Sequence, residues 1–483
     1  MKPDEYKMTT KTLEVVLSLF LFLYPILYFQ LSDTNAIDSW FFIRYAALIF
    51  IFIFSILSIK NSKPSLILLF FISINIILAL IQLVNPFEDT PVLNLYGLAD
   101  RADGILYQIL LMSLAFLAFG VIKKLQNFDF LFIPLILAGI FQSVLIFFQY
   151  RQINLHFLET FVPYNADSVL GFMGHSGYLG GFYISIITLN IYYTQSKTAL
   201  YARMAYISLP INCLGMSLVQ NRSSVVSAVF IILIYLLTQI KNPRVILLSI
   251  TSAFMIYFGA SVIPQSKQLA TKNLLSLTTA FTRFEIWNIG IQLLPQSWLF
   301  PFWGGGVGEF KRLISEKLPP IELFKFYQKE YKWQPLSEIE SYKILSDKNT
   351  PKRDKMFTVF WKDKHYTIQN ISLDKAHNFF LDKAFSIGLL GAILWMVFYL
   401  YPLYAFIRLP IYQRSPELIA LTTTLIGIQI YYIFWFAVMQ VEPIHVTLAI
   451  ATWIALDRAK AIPNPAIHGF NSSTTPPPQS LEA

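Results

Sequence analysis

The chain has 483 residues, 55% of them hydrophobic and 13% charged, and a formal net charge of +9. An ordinary soluble domain carries about 25% charged residues, so this balance excludes one and requires a bilayer as the solvent for much of the chain. Cys213 is the only cysteine, which excludes an intramolecular disulfide and a cysteine-held zinc site.

Apolar blocks long enough to cross a bilayer, for which about 20 helical residues suffice, fall near 13–32, 40–59, 65–84, 105–122, 130–149, 177–194, 204–220, 223–240, 245–263, 384–407, 418–437 and 444–457. They predict an all-α polytopic membrane protein of about twelve transmembrane helices with one large external loop containing short helices. Residues 1–263 form a membrane domain of nine helices, 264–383 the loop, 384–457 a membrane domain of three helices, and 458–483 a disordered cytoplasmic tail with Pro476-Pro477-Pro478. The first apolar run is too long for a signal peptide and has no small-residue cleavage site, so it is expected to stay as the first helix.

Lys and Arg in short loops set the orientation. Lys2, Lys7 and Lys11, Lys60 and Lys63, Lys123 and Lys124, Lys197 and Arg203, Lys241 and Arg244, Arg408 and Arg414, and Arg458 and Lys460 all fall on one side. Both termini are therefore expected in the cytoplasm. The opposite short loops hold Arg101, Arg151 and Arg222. The positive charge serves topology, and no nucleic-acid partner is needed to explain it.

Those three external arginines are exceptions to the charge rule. Each either snorkels to the headgroups or converges on an anionic ligand, since a guanidinium matches diphosphate oxygens in a bidentate way. Arg222 is the sharpest case, because the polar stretch Gln220-Asn221-Arg222 offers almost no loop to solvate it. Next, Gly171–Gly181, with His175, enters the sixth span; its small residues permit close helix packing or a broken helix start whose amides face an anion.

The large loop opens on a helical stretch over 282–294, where Arg283 and Trp287 share one face. There the indole is able to hold the guanidinium. Pro301 to Phe310 follows, with Gly304, Gly305, Gly306 and Gly308; such a run makes a plain turn or lets a substrate approach the main chain. Residues 321–332 read as a helix and 357–361 alternate like a short strand. At the loop's end stands His377-Asn378, either a helix start or a titratable group at the water–lipid boundary that takes a proton from a hydroxyl.

Taken in order, these segments resemble the bacterial O-antigen ligase and O-antigen polymerase superfamily of membrane glycosyltransferases. The resemblance rests on Gln149-Tyr150, Gly171–Gly181, Asn221-Arg222-Ser223-Ser224, Arg283 with Trp287 and Pro301, Gly304–Phe310, and His377-Asn378-x-x-Leu381 leading to Gly388. Asn221 stands where the family usually has Ser, and 332–375 is longer than its pattern. The resemblance implies a fold like the membrane-embedded class of lipid-linked glycosyltransferases and makes the large loop periplasmic. It also implies transfer of a glycan from an undecaprenyl-diphosphate carrier to an acceptor sugar hydroxyl on the periplasmic face of the inner membrane, without metal or cofactor. By position, Arg222 and Arg283 bind the diphosphate and His377 assists the hydroxyl; Arg101, Arg151, His175, Trp287, Gly304, Gly306 and Asn378 are substrate-binding candidates. Glu285 or Asp382 are alternatives to His377 as base. The spacing of His377 and Gly388 favours a ligase acting on lipid A-core; a polymerase acting on a growing glycan is the next reading. A transporter or flippase is the rival from another class. Arg44 and Glu14 are nearly the only ionisable groups within the predicted spans, which speaks against transport. A scaffold subunit is the blandest alternative.

Overall fold

A computed structural model of the chain describes residues 3–28, 36–58, 65–84, 95–97, 103–125, 127–153, 169–239, 242–262, 278–295, 300–306, 308–331, 336–345, 356–370, 375–436 and 438–462. A helix stands at each predicted apolar block: α1 (Pro3–Leu23), α2 (Ala36–Ser58), α3 (Leu66–Ile81), α4 (Ile105–Ile122), α5 (Asp129–Tyr150), α6 (Ser176–Tyr193), α7 (Ala199–Val219), α8 (Arg222–Thr238) and α9 (Pro243–Val262). After the large loop come α14 (Phe379–Arg408), α15 (Pro416–Phe434) and α16 (Glu442–Lys460). Among the described residues six helices, α4, α5, α7, α9, α14 and α15, are long and apolar enough to cross a membrane, and 43–58, 66–81 and 222–238 are apolar but shorter. The chain is thus built as a helical membrane protein.

The helices start where the sequence supplies a cap. Ser65, Asn221, Asn378 and Ser415 each accept the backbone N–H three residues on, which satisfies a donor that no preceding turn serves. In the packed bundle α6 lies against α7, α8 and α15, while α4 lies against α2, α3 and α16. Many of the helices bury residues on every side, as a helix inside a bundle must.

The large loop holds α10 (Thr278–Leu293), α11 (Phe300–Trp303), α12 (Glu309–Lys317) and α13 (Pro320–Tyr331). It also holds a three-stranded antiparallel sheet, β1 (Ile339–Leu345), β2 (Met356–Trp361) and β3 (Tyr366–Asn370), in the order β1-β2-β3. The expectation of helices with a single strand is corrected on this point. β1 and β3 pair along the two edges of β2, so that Val359 and Trp361, on one face of the strand, turn into a small core with Phe310, Leu313 and Phe324 while Phe360 between them faces out. Phe385 of α14 belongs to that core and joins the loop to the bundle.

α14 is broken at Ile387 and Gly388, where Gly388 has φ 78° and ψ 173°. The break turns two helix carbonyls outward, and the loop answers them: Gly305 N–H donates to Phe385 O at 2.8 Å and Gly306 N–H to Ser386 O at 3.1 Å. A Cβ on Gly388 would lie 1.9 Å from Phe302 O, and one on Gly304 2.5 Å from Gly388 N, so only glycine fits on both sides of the contact.

The expected scarcity of ionisable groups within the helices is also corrected. The sequence reading starts two spans at 384 and 444, but α14 begins at Phe379 and α16 at Glu442. Lys383 and Glu442 therefore lie inside, both buried, with Nζ and Oε1 3.1 Å apart. Tyr107 donates to the other carboxylate oxygen at 2.9 Å, and Lys383 sits over the Trp395 and Phe379 rings.

Candidate functional site

The site begins at the entry to α6, where the chain is pinned before the helix starts. Gln149 Oε1 accepts the N–H groups of Leu170 and Gly171 at 3.0 and 2.8 Å. Gln142 Oε1 accepts from Phe172 N at 3.1 Å while its Nε2 donates to Pro25 O at 2.6 Å. Arg44, fully buried, donates from Nη2 to Phe172 O at 3.0 Å. Three buried polar side chains thus hold one short turn, Gly171–Met173. That rigidity sets His175, whose Nδ1 accepts from Gly177 N at 2.9 Å and caps α6. The cap leaves the proton of the neutral ring on Nε2.

Trp435, just beyond α15, is the residue on which the functional candidates meet. The Arg283 guanidinium carbon lies 4.9 Å from its ring. The imidazoles of His377 and His175 have their centroids 5.6 and 5.5 Å away. Gly177 makes the approach possible, since a Cβ there would stand 2.2 Å from the indole Cζ2. Three stretches far apart in sequence, at 175, 283 and 377, therefore converge on one indole. A guanidinium on an aromatic face keeps its plane fixed and its edge donors available for an anion.

His377 is held by its backbone. Its φ is 53°, a conformation uncommon for a residue with a Cβ and one that needs support from its surroundings. Trp287 Nε1–H donates to its carbonyl at 3.4 Å. Asn378 caps α14 by accepting from Leu381 N at 3.0 Å, and its Nδ2 donates to Ile433 O at 3.1 Å. On the other flank Ala376 N–H donates to Asp382 Oδ1 at 2.8 Å, and Lys375 pairs with Asp103. Asp382 thereby holds the segment in place. Glu285, two residues from Arg283 along α10, lies on a different helix face.

Arg222 opens α8, and its turn lies against α6. Asn221 Oδ1 accepts from Ser224 N and from the Ser223 and Ser224 hydroxyls, at 3.1, 2.8 and 2.8 Å. A Cβ on Gly180 would stand 2.0 Å from Ser224 Oγ. Gly180 is one helical turn beyond Gly177, so the Arg222 turn and Trp435 flank the same stretch of α6. Arg151 is exposed at the end of α5, and among the described residues no ring or cation–π contact joins it to Trp435. Arg101 lies outside the described residues. Gly304 and Gly306 serve the break in α14, which occupies the backbone expected to admit a substrate.

Trp435 itself escaped the sequence reading. An aromatic run at a span end, Phe434-Trp435-Phe436, has the pattern of an interfacial belt, and no local spacing ties it to Gly177. The buried Lys383–Glu442–Tyr107 group escaped as well; its only signal was a charge within a few residues of each span. His445, also buried, is hydrogen-bonded at both ring nitrogens, to Tyr432 Oη at 2.7 Å and Gly181 O at 3.2 Å. Among the described residues no three His, Cys, Asp or Glu side chains gather as a metal site. No family model matches the chain, and no curated protein matches it in sequence.

Proposed function

We propose that the chain is a glycosyltransferase that moves a glycan from an undecaprenyl-diphosphate carrier to an acceptor sugar hydroxyl at the periplasmic face of the inner membrane, with lipid A-core as the acceptor. The observation that carries this reading is the convergence of Arg283 and His377 on Trp435. Cleavage of a sugar–diphosphate bond leaves negative charge on the departing oxygen, and a preorganised cation there is worth about 3–4 kcal/mol. In the reaction the acceptor oxygen forms a bond to the anomeric carbon as the bond from that carbon to the diphosphate oxygen breaks. The bonding pair leaves with the lipid diphosphate, which Arg283 and Arg222 bind. The hydroxyl proton passes to His377.

A polymerase of the same superfamily uses the same donor chemistry on a different acceptor. The two separate in the native host: deleting the gene and resolving surface polysaccharide on gels removes all attached glycan for a ligase, but leaves single units attached for a polymerase. A flippase is favoured by two specific features, the break in α14 and the buried Lys383–Glu442 pair, because transporters place broken helices and paired charges within the bundle. Purified protein in nanodiscs with lipid-linked oligosaccharide and acceptor decides between the classes. Transferred product that falls about 10²–10³-fold in Arg283→Ala supports the enzyme. No product with wild type, and full function of Arg283→Ala in cells, overturns it.

A further inference from the structure

Trp435 carries one feature that its role as a platform for Arg283 does not explain. Its indole is 6% exposed, and among the described residues its Nε1–H has no acceptor. Buried polar groups are ordinarily hydrogen-bonded, and one left without a partner in the midst of a functional cluster points to an absent group. The two indole edge atoms nearest Gly177, Cζ2 and Cε2, would lie 2.2 and 2.7 Å from a Cβ there. Cε2 is bonded to Nε1, so the N–H leaves the ring beside the first turn of α6, an 18-residue helix whose N-terminus is electropositive. The Arg283 guanidinium lies against the same indole, and the imidazoles of His175 and His377 flank it. Of the described carboxylates near this cluster in sequence, Asp382 accepts from Ala376 N and Glu442 from Tyr107 and Lys383, while Glu285, two residues from Arg283, lies on a different face of α10. The charged side chain packed on the indole is thus a guanidinium, and an anionic oxygen is the complement that both it and the Nε1–H donor can take.

We infer that Trp435 Nε1–H is a diphosphate-binding donor, contacting an oxygen of the carrier diphosphate while the indole holds Arg283 beside it. The inference rests on the glycosyltransferase reading for the identity of the anion, but its test reads binding alone. The donor acts on the bound ground state as well as on the leaving group, so its loss raises the donor KM and leaves the acceptor KM unchanged. A merely structural role for Trp435 moves both.

The experiment uses full-length protein in nanodiscs, labelled with ¹⁵N at its tryptophan indoles, with the Trp435 resonance assigned from Trp435→Phe, or from Trp435→Tyr should the first not fold. Inorganic diphosphate is the probe, with phosphatidylglycerol added separately to represent a lipid headgroup. Expected is a downfield shift of the Trp435 indole proton on adding diphosphate, and affinity weakened about 10- to 100-fold in Trp435→Phe, the range for a hydrogen bond to a charged group. An unmoved Trp435 resonance while diphosphate still binds overturns the inference and leaves the glycosyltransferase reading standing. An equal shift with phosphatidylglycerol alone overturns the diphosphate assignment, since any lipid phosphate then suffices. Normal diphosphate binding and an unchanged donor KM in Trp435→Phe also overturn it. Transfer activity that fails in wild type while diphosphate still shifts Trp435 overturns the enzyme reading and not the donor.

Discussion

Arg283 and Trp435 form the contact on which the site depends, and its chemistry is particular to these two side chains. A guanidinium is flat and stacks on an indole, whereas an ammonium is a point charge on a flexible stem. Arg283→Lys is therefore expected to keep the charge yet lower transfer at least about 10-fold, with the melting temperature of the detergent-solubilised protein little changed. Gly177 tests the same contact from the other side. Gly177→Ala places a Cβ 2.2 Å from the indole, which must move, so both activity and melting temperature should fall. An active, wild-type-stable Gly177→Ala would show that the indole position is not needed. His377 was legible from the sequence because histidine is scarce there, with 6 in 483 residues, and because it stands at a loop–membrane boundary. Trp435 was not, since tryptophans at helix ends are common in membrane proteins for reasons unrelated to catalysis.

At the scale of elements, the site is assembled where helices are interrupted. α6 starts after a turn held by Gln149, Gln142 and Arg44, and α14 starts at the Asn378 cap and breaks two turns later against the glycine loop. The broken helix and the loop are mutually dependent: the Phe385 and Ser386 carbonyls need donors, and Gly305 and Gly306 supply them. Gly388→Ala brings both a positive-φ penalty and a Cβ 1.9 Å from Phe302 O, so a loss of at least about 2 kcal/mol in unfolding free energy is expected, read as a lowered melting temperature. Ala at exposed Gly positions away from this contact provides no such test. The sequence marked these glycines, but as a place for substrate. Conformational freedom is visible in a glycine's identity; which backbone approaches it depends on a helix some eighty residues further along the chain.

For the whole molecule, a buried ion pair ties two of the last three helices together, and a hydrogen bond ties that pair to the earlier bundle. Lys383 of α14 reaches Glu442 of α16, and Tyr107 of α4 completes the carboxylate's contacts. Breaking a buried pair costs about 3–5 kcal/mol, because the remaining charge has no solvent. Glu442→Gln and Lys383→Met should each lower thermal stability, and the double variant should recover much of it; simple additivity of the two effects would show that the groups are not coupled. Orientation is testable at the same scale. Cys213 is buried, so the wild-type thiol is a silent background for labelling. A cysteine at the exposed position of Lys325 should react with a membrane-impermeant maleimide in intact spheroplasts, and protection until lysis would invert the proposed topology.

Long apolar blocks were enough to place the six described helices that are long and apolar enough to cross a membrane, because the cost of leaving backbone polar groups unpaired in a bilayer admits only helices for such segments. Capping residues and the scarcity of charge likewise made Arg222, Arg283 and His377 stand out from their neighbours. The ends of α14 and α16 were set too late by composition, since Lys383 and Glu442 read as loop charges until each is seen to neutralise the other. The convergence of residues 175, 283 and 377 on Trp435 is not written in any local spacing. It arises from which helices pack together, and the packing is set by the fit of Gly177 and Gly180 to their neighbours, a property of surfaces that meet only in the folded chain.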